Sequence, residues 1–312
     1  MEPKIVVVGL SGYSIFMDVN HFHQSGETLV AGDVFFEPGG KGFNQAVAAK
    51  RLGGDVCFIS SVGNDEYGRL CEERLIKEGV NSCLIKKDGI NTAFAVILTD
   101  DKGENQVTVY RGASRFLTAE DIERHEELIK AADVLLLQME VPLEANKKAL
   151  EIANRHGVTT ILNPAPPWDF DFKLINENTI ITPNEFEARA IFGLSPDEAV
   201  LDNKKIIGKY QEHLKRMIIT LGEKGCAMFN EGVVRLIPAL KVKALNTTGA
   251  GDVFNGALAV RIGSGESFID SARFAVIASG LSVEKYFALE SFPRREEVIQ
   301  MLKEQNGLDD LR

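Results

Sequence analysis

A run of small residues, Asn246-Thr247-Thr248-Gly249-Ala250-Gly251-Asp252, leads directly into a helix-forming stretch that extends to about Ile262. The first amides of a helix have no partner within it and carry the positive end of its dipole, so this turn could hold a phosphate. Gly249 and Gly251 would leave the backbone open to such a group. A carboxylate at Asp252 would repel phosphate, and general-base catalysis on a hydroxyl would explain its presence. A helix-capping aspartate is the alternative.

A second glycine turn, Gly39-Gly40-Lys41-Gly42-Phe43-Asn44-Gln45, precedes an alanine-rich stretch. It is not a Walker A loop, because Phe35 stands at the position of the first glycine and Gly42 follows Lys41 where Ser or Thr is required. Lys41 and Asn44 offer donors at a helix start, which suits a ligand rich in hydroxyl groups. A glycine turn that merely opens a buried helix is the alternative.

Three further polar positions follow predicted strands. Glu140 comes after the buried strand Val134–Met139, and ligands of open parallel sheets bind beyond the carboxyl ends of the strands. Asn184 and Glu187 are one helical turn apart and could order water around Mg²⁺, or they could simply cap a helix. The turn Thr220–Gly225 could face a nucleotide. A solvated strand-end carboxylate is the alternative for Glu140.

The elements that would position these residues alternate between strand and helix, beginning with a strand over residues 5–8. Residues 118–132, 268–287 and 295–304 are predicted helices. The segment Thr92–Tyr110 reads as a hairpin around a polar turn, and residues 15–37 read as extended chain. With no linker composition, we expect one α/β domain over residues 1–312, with a β lid formed by about 12–37 and 92–111.

Composition excludes several classes of function. The 312 residues carry a net charge of −10 with no long basic run, so nucleic acid and anionic membrane are poor partners. The four cysteines lack the spacing of metal ligands and indicate free thiols, not zinc. No apolar run approaches the roughly 18 residues of a membrane span, and the first residues read as a strand rather than a signal peptide. A cytoplasmic location is expected.

The two glycine turns together resemble the two signatures of the PfkB family of carbohydrate kinases, and the chain as a whole resembles the ribokinase group of that family. The likeness includes Leu137–Glu144, Asn163–Pro166 and Thr182–Glu185. It implies a three-layer α/β/α fold of ribokinase type, with a mostly parallel central sheet and a small β lid that often pairs subunits. It also implies transfer of the ATP γ-phosphoryl group to a primary alcohol of a sugar, Mg²⁺ as a cofactor, and a homodimer.

The resemblance assigns roles by position. Asp252 would be the general base, and the amides of Gly249, Ala250 and Gly251 would form the anion hole. The sugar-binding positions would be Gly40, Lys41, Asn44 and Glu140. Asn184 and Glu187 match an element associated with Mg²⁺ and phosphate, and the nucleotide turn would include Thr220, Gly222 and Gly225.

Two departures from the ribokinase pattern concern ligands. Gly12 and Ser14 replace an asparagine and an aspartate that bind ribose hydroxyls, so ribose is expected to be a poor substrate, since a hydrogen bond to a charged group contributes ~1.5–3 kcal/mol. At the monovalent-cation site Thr248 and Ser291 match, but Asn246 replaces an aspartate and Phe287 a glycine, which leaves activation by K⁺ open.

Two alternative functions remain at the level of sequence. A nucleoside kinase of the same fold would stack the base on Tyr13 or Phe16. A non-catalytic sugar sensor would keep the fold, although it would have no need of Asp252.

Overall fold

The computed structural model of the chain describes residues 1–201, 203–230, 232–285 and 288–309. The strands are β1 Lys4–Val8, β2 Gly12–Asp18, β3 Val34–Gly39, β4 Asp55–Gly63, β5 Asn81–Lys87, β6 Ala93–Thr99, β7 Asn105–Tyr110, β8 Val134–Gln138, β9 Thr159–Asn163, β10 Thr179–Ile181, β11 Arg216–Thr220, β12 Cys226–Asn230 and β13 Val233–Ile237. The helices are α1 Lys41–Arg51, α2 Glu66–Glu78, α3 Ala119–Glu123, α4 Glu126–Lys130, α5 Leu143–His156, α6 Glu185–Phe192, α7 Lys204–His213, α8 Ala250–Gly263, α9 Phe268–Ser282, α10 Ala288–Ser291 and α11 Arg295–Asp309.

Nine strands form the large sheet, in the order β13-β12-β11-β10-β9-β8-β1-β4-β5. Neighbouring strands from β11 to β5 run parallel, whereas β12 and β13 each run antiparallel to the strand before them. The central strand β8 is buried along its whole length, as expected of a parallel strand that is covered on both faces. The sheet is therefore mostly parallel.

Two hydrophobic cores lie on opposite faces of this sheet. Alternate residues of the strands, such as Val7 and Leu136, pack against α1, α8, α9 and α11 on one face. The intervening residues, such as Val8 and Leu137, pack against α3 to α7 on the other face. Helices thus cover both faces and give three layers.

The smaller sheet has the order β3-β2-β6-β7, in which β2 and β6 are parallel and the other pairs are antiparallel. The chain enters it immediately after β1 and leaves it immediately before α1. Gly12, at the start of β2, and Gly39, at the end of β3, therefore lie beside the carboxyl end of β1. Residues 19–33, part of the stretch expected to be extended, carry no strand between β2 and β3.

The helix predicted from Thr118 to about Ala132 is wrong as a continuous element. Thr118 and Asp121 form a reciprocal capping box for α3, but the helix is interrupted at Arg124 and His125. The ring nitrogen Nδ1 of His125 lies 2.7 Å from the carbonyl oxygen of Asp121. The backbone amide of His125 therefore donates to the carbonyl of Ile122 instead. The long helix predicted over residues 268–287 ends at Ser282. Within the described ranges no helix is both long and apolar enough to cross a bilayer.

Candidate active site

The two glycine turns meet because α1 and α8 pack closely against each other. Gly256 of α8 allows this approach, since a Cβ atom there would lie 2.8 Å from the amide nitrogen of Ala49 and 2.9 Å from the Cβ of Ala48. The first turns of both helices consequently reach the carboxyl ends of β1 and β8 together. Residues far apart in sequence form one polar cluster there.

Asp252 is the third residue of α8 and is almost fully buried. Its two carboxylate oxygens accept hydrogen bonds from Asn44 Nδ2 and from Gln45 Nε2, each at 3.0 Å. Because the N-cap of α8 is Gly249 and the Asp252 carboxylate binds two side chains of α1, the aspartate is not a helix cap. Burial raises its pKa, an effect opposed by Lys41 and by the hydrogen bonds from Asn44 and Gln45.

Three residues that the sequence analysis quoted without assigning a role complete the support of Asp252. Gln45 is fully buried, and its Oε1 accepts a hydrogen bond of 2.6 Å from Gln138 Nε2. Gln45 also approaches Asn163 Oδ1 at 3.4 Å, and Asn163 Nδ2 donates to the carbonyl of Thr182. Each lies in or beside a motif described in the sequence analysis. Gln45 ends the first turn of α1, Gln138 ends β8 and Asn163 ends β9. The sequence alone does not show that these three polar side chains are buried, and their burial is what marks them as part of the site.

The predicted sugar-binding residues Lys41, Asn44 and Glu140 lie in the same cluster. Glu140 Oε2 accepts a hydrogen bond of 2.8 Å from the backbone amide of Lys41, so Glu140 caps α1 from the end of β8. Asn44 Oδ1 is buried and has no hydrogen-bond partner among the described residues. An unpartnered buried acceptor beside the Asp252 carboxylate is the kind of group that a ligand hydroxyl would satisfy.

Charge is concentrated around Lys41. Burial is the largest influence on Lys41 and disfavours its charge, but nearby carboxylates outweigh it and raise the Lys41 pKa; they belong to Asp252, Glu140 and Glu187. Burial likewise raises the pKa of Glu140 and Glu187, and Lys41 opposes the shift in both cases. The Lys41 ammonium group therefore offsets the negative charge of three carboxylates where the two glycine turns meet.

Gly40, Gly12 and Ser14 lie where the small sheet joins α1. Gly40 has a φ of 101°, and a Cβ there would collide with the Leu10 side chain at 2.3 Å. At Gly12 a Cβ would lie 2.7 Å from the carbonyl oxygen of Ala93, so the pairing of β2 with β6 leaves no room for a side chain. Ser14 Oγ lies next to Gly39, whose Cβ position is 3.9 Å from Asn44 Oδ1.

The turn before α8 has the conformation that its glycines predict. Gly249 has a φ of 81° and a Cβ there would meet the Phe292 ring at 2.8 Å, whereas a Cβ at Gly251 would meet nothing within 4 Å. The first intrahelical bond runs from the Val253 amide to Gly249, which leaves the preceding amides directed out of the helix. The Ala250 amide is already engaged by the carbonyl of Thr247 at 3.2 Å. Gly251 thus offers the more open amide of the pair.

The segment 288–292 supports this turn from behind. Phe292 packs on Gly249, and Arg51 holds the carbonyls of Leu289 and Phe292. Glu37, at the end of β3, accepts the Leu289 amide at 3.3 Å. The end of β3, helix α1 and the turn before α8 are therefore linked through one short segment.

A cavity of about 810 Å³ begins at the N-terminus of α8. It is lined by Ala250 and Gly251, by Asn184, and by the three residues predicted for the nucleotide turn, Thr220, Gly222 and Gly225. Asn184 and Thr220 are adjacent through an isolated parallel bridge between their backbones. The volume is in the range of ligand pockets.

The predicted metal-associated residues have local partners. Asn184 and Glu187 form a reciprocal capping box at the start of α6, with distances of 2.8 and 2.9 Å. Among the described residues no group of three or more His, Cys, Asp or Glu side chains could hold a metal ion. Asn246 Oδ1 accepts the Thr248 amide at 2.8 Å, and Ser291 Oγ donates to the carbonyl of Ala288. Phe287 lies outside the described residues.

Comparison with known proteins identifies the chain. The pfkB family carbohydrate kinase profile matches residues 2–295. The chain belongs to this family. It is 36% identical to the ribokinase of Staphylococcus aureus over 308 residues, covering 96% of the chain and 100% of the relative. It is 34% identical to the ribokinase of Haemophilus influenzae, covering 97% and 99%.

The fold agrees with this family. The ribokinase of Arabidopsis thaliana, described as complexed with ribose and ATP, superposes with a TM-score of 0.87 at 28% identity, covering 97% of the chain and 99% of that structure. The three-layer ribokinase-like fold is confirmed, as is the resemblance on which it was predicted. This PfkB family member is a phosphotransferase with an alcohol group as acceptor. Neither a nucleoside kinase nor a non-catalytic sensor is favoured.

Proposed function

We propose that this PfkB family kinase transfers the γ-phosphoryl group of ATP to a primary hydroxyl of a sugar, with Asp252 as the general base. The observation that carries the proposal is the Asp252 carboxylate, fixed by Asn44 and Gln45 beside the open N-terminus of α8. This carboxylate lies where two glycine turns meet. The turn before α1 offers Lys41 and Asn44 to hydroxyl groups, and the turn before α8 offers backbone amides to a phosphate.

The proton transfer follows from the state of the carboxylate. Each Asp252 oxygen accepts one hydrogen bond, and a carboxylate has about four acceptor sites, so a substrate hydroxyl can still donate to it. Burial strengthens the base by raising its pKa, while the charge of Lys41 opposes that rise and favours the ionised form. Asn44 Oδ1 is available to a neighbouring hydroxyl. The Gly251 amide, the Gly249 amide and, once released from Thr247, the Ala250 amide would receive the negative charge of the transferred group.

ATP is the proposed donor and would occupy the cavity that starts at α8. The Arabidopsis relative described with ATP supports this assignment, as does the clustering of Asn184, Thr220, Gly222 and Gly225 at that cavity. Mg²⁺ would supply charge neutralisation of the phosphates. Since the chain offers no cluster of three ligand side chains within its described residues, Asn184 and Glu187 would hold the ion through water and the phosphates themselves.

A monovalent cation would have altered ligands. Asn246 can coordinate through its carbonyl oxygen without supplying charge, but that oxygen already accepts the Thr248 amide. Ser291 Oγ is likewise bonded. K⁺ activation is therefore proposed only as an effect to be measured, with Asn246, Thr248 and Ser291 as its site.

The acceptor is proposed to be a sugar other than ribose. The two relatives named ribokinase make ribose the first compound to test. Gly12 and Ser14 nevertheless remove two groups that would bind ribose hydroxyls, and at Gly12 no side chain fits against Ala93. Ribose is expected to have a kcat/KM below that of the best sugar.

The small sheet is proposed to close over bound sugar and to pair two subunits. The pairing of β2 with β3 and β6 places six apolar side chains on the same face of this sheet, and that face is partly exposed to solvent. Its members are Ile15, Met17, Val34, Phe36, Val96 and Leu98. Phe36→Asp should convert a dimer to a monomer, while Val107→Asp, which lies on the opposite face, should not; light scattering after gel filtration measures both.

The decisive experiment is a measurement of ADP release with pentoses, hexoses, sugar acids, polyols and nucleosides, each with and without K⁺. We expect one sugar to give the highest kcat/KM, and Asp252→Asn to abolish most of that turnover. The highest activity on a nucleoside, or none on any compound, would contradict the proposal.

A further inference from the structure

Two cysteines outside the active site lie next to each other at the edge of the large sheet. Cys57 is on β4 and Cys83 is on the edge strand β5, and their sulfur atoms are 4.0 Å apart. Both are free and partly exposed, whereas the other two cysteines, Cys71 and Cys226, are free and buried.

A histidine makes the two thiols unequal. Nδ1 of His125 lies 2.7 Å from the carbonyl oxygen of Asp121 and must carry a proton, because a carbonyl can only accept. The other ring nitrogen is thereby left for Cys83, with which His125 interacts. The contact between the two thiols, together with His125, lowers the pKa of Cys83, and the same contact raises that of Cys57. Because His125 neighbours Cys83 and not Cys57, it favours the Cys83 thiolate and makes Cys83 the nucleophile of the pair.

We propose that Cys83 and Cys57 form a thiol modification site, at which a hydroperoxide oxidises Cys83 and Cys57 then closes a disulfide. The Cys83 thiolate attacks the terminal peroxide oxygen. A sulfur–oxygen bond forms as the oxygen–oxygen bond breaks, and the leaving oxygen takes one proton and departs as an alcohol, or as water when the oxidant is hydrogen peroxide. Cys57 next attacks the sulfenic sulfur, the sulfur–oxygen bond breaks, and hydroxide leaves as water with the thiol proton.

The strand arrangement permits the second step. Cys57 is paired with Asn81 and Cys83 with Ile59, so the cysteines are offset diagonally across neighbouring strands. The sulfur atoms must approach each other by about 2 Å. Among the described strands β5 has a neighbour on one side only, which leaves it freer than an inner strand to slide along β4 and shorten this diagonal offset.

The chain supplies its own controls. Burial raises the pKa of Cys71 and of Cys226 to about 12 each. At neutral pH these thiols remain protonated, so both should resist oxidation and alkylation while the protein is folded.

The test uses the full-length protein in its native state. It is treated with hydrogen peroxide, blocked with maleimide, digested and analysed by mass spectrometry. We expect a peptide pair linked through Cys57 and Cys83, with Cys71 and Cys226 recovered as maleimide adducts. In Cys57→Ser, dimedone should label Cys83 as sulfenic acid. Without peroxide, iodoacetamide should modify Cys83 about tenfold faster than Cys226, and His125→Gln should slow this reaction.

Two results would overturn the proposal. One is oxidation of the folded protein that yields no Cys57–Cys83 disulfide in the wild type. The other is alkylation of Cys83 at a rate no greater than that of Cys226. The wild-type measurements need no variant to fold, and circular dichroism checks the fold of Cys57→Ser and His125→Gln.

Discussion

Replacement of Asp252 by asparagine separates the proposed base from a residue that only holds structure. Asp252→Asn keeps the size of the side chain but removes its charge and basicity. In the native site the carboxylate accepts from both Asn44 and Gln45 at 3.0 Å, whereas an amide has one acceptor oxygen. Gln45 is fixed because Gln138 binds its Oε1 at 2.6 Å, but Asn44 can rotate to present Oδ1, which has no partner among the described residues.

The substituted protein should therefore fold with the new amide oxygen toward Gln45 and its NH₂ group toward the rotated Asn44. The loss of stability is expected to be about 1 kcal/mol, because two charge-assisted hydrogen bonds are replaced by neutral ones. Turnover should fall far more. General-base catalysis contributes ~10²–10⁴-fold, which corresponds to roughly 3–5 kcal/mol of barrier. The KM for ATP should change little, because the Gly249 and Gly251 amides and Lys41 remain, whereas the KM for sugar should rise modestly because the rotated Asn44 no longer offers Oδ1 to a hydroxyl.

The assay is ADP release at saturating ATP with the best acceptor, together with thermal unfolding. Asp270→Asn is the matched control: Asp270 also lies in the first turn of a helix, α9, but it is exposed and bonded to Ser267. Its kcat should equal that of the wild type. A folded Asp252→Asn protein that keeps more than about a tenth of the wild-type kcat would refute the base assignment.

Ser14→Asp returns a carboxylate to the lid side of the site, and we expect kcat/KM for ribose to rise about tenfold, in line with ~1.5–3 kcal/mol for a charged hydrogen bond; an unchanged or lower value counts against a sugar contact at this position. Gly249→Ala should lower the free energy of unfolding by about 1–3 kcal/mol and reduce kcat, since φ is 81° and the new Cβ meets Phe292 at 2.8 Å. In urea titrations Gly265→Ala is the control, because its φ is 79° and its Cβ meets nothing, and equal losses in both variants would exclude a role for Phe292. Burial raises the pKa of Glu37 from 4.5 to about 7, so the folded chain holds a proton that the unfolded chain releases, and stability is lost as the pH rises from about 4.5 to 7. Glu37→Gln should flatten this loss, and parallel wild-type and variant curves of unfolding free energy against pH would disprove the assignment.

The sequence predicted those parts of the site whose structure depends only on residues a few positions apart in the chain. The glycine turns, the hairpin Thr92–Tyr110 and the alternation of strands and helices follow from backbone preferences within a few residues. The capping box of Asn184 and Glu187 was also visible as an alternative to metal binding.

What sequence could not supply are pairings between distant side chains. Gln45 and Gln138 look like ordinary polar residues until the packing of α1 against β8 buries both. Glu140 was expected to contact sugar, and its bond to the Lys41 amide depends on the position of β8 relative to α1. The break at His125 likewise arises from its own side chain competing for a backbone carbonyl.

The bonds that hold Asp252 join residues 208 and 207 positions apart in the chain. Synthesis from the N-terminus therefore produces Lys41, Asn44 and Gln45 long before the helix that carries the carboxylate and the phosphate-facing amides emerges. A nascent chain, or a fragment cut before α8, holds the hydroxyl-facing turn but neither the base nor the anion site. If Asp252 is the base as proposed, incomplete copies of this kinase would therefore be unable to transfer the phosphoryl group of ATP.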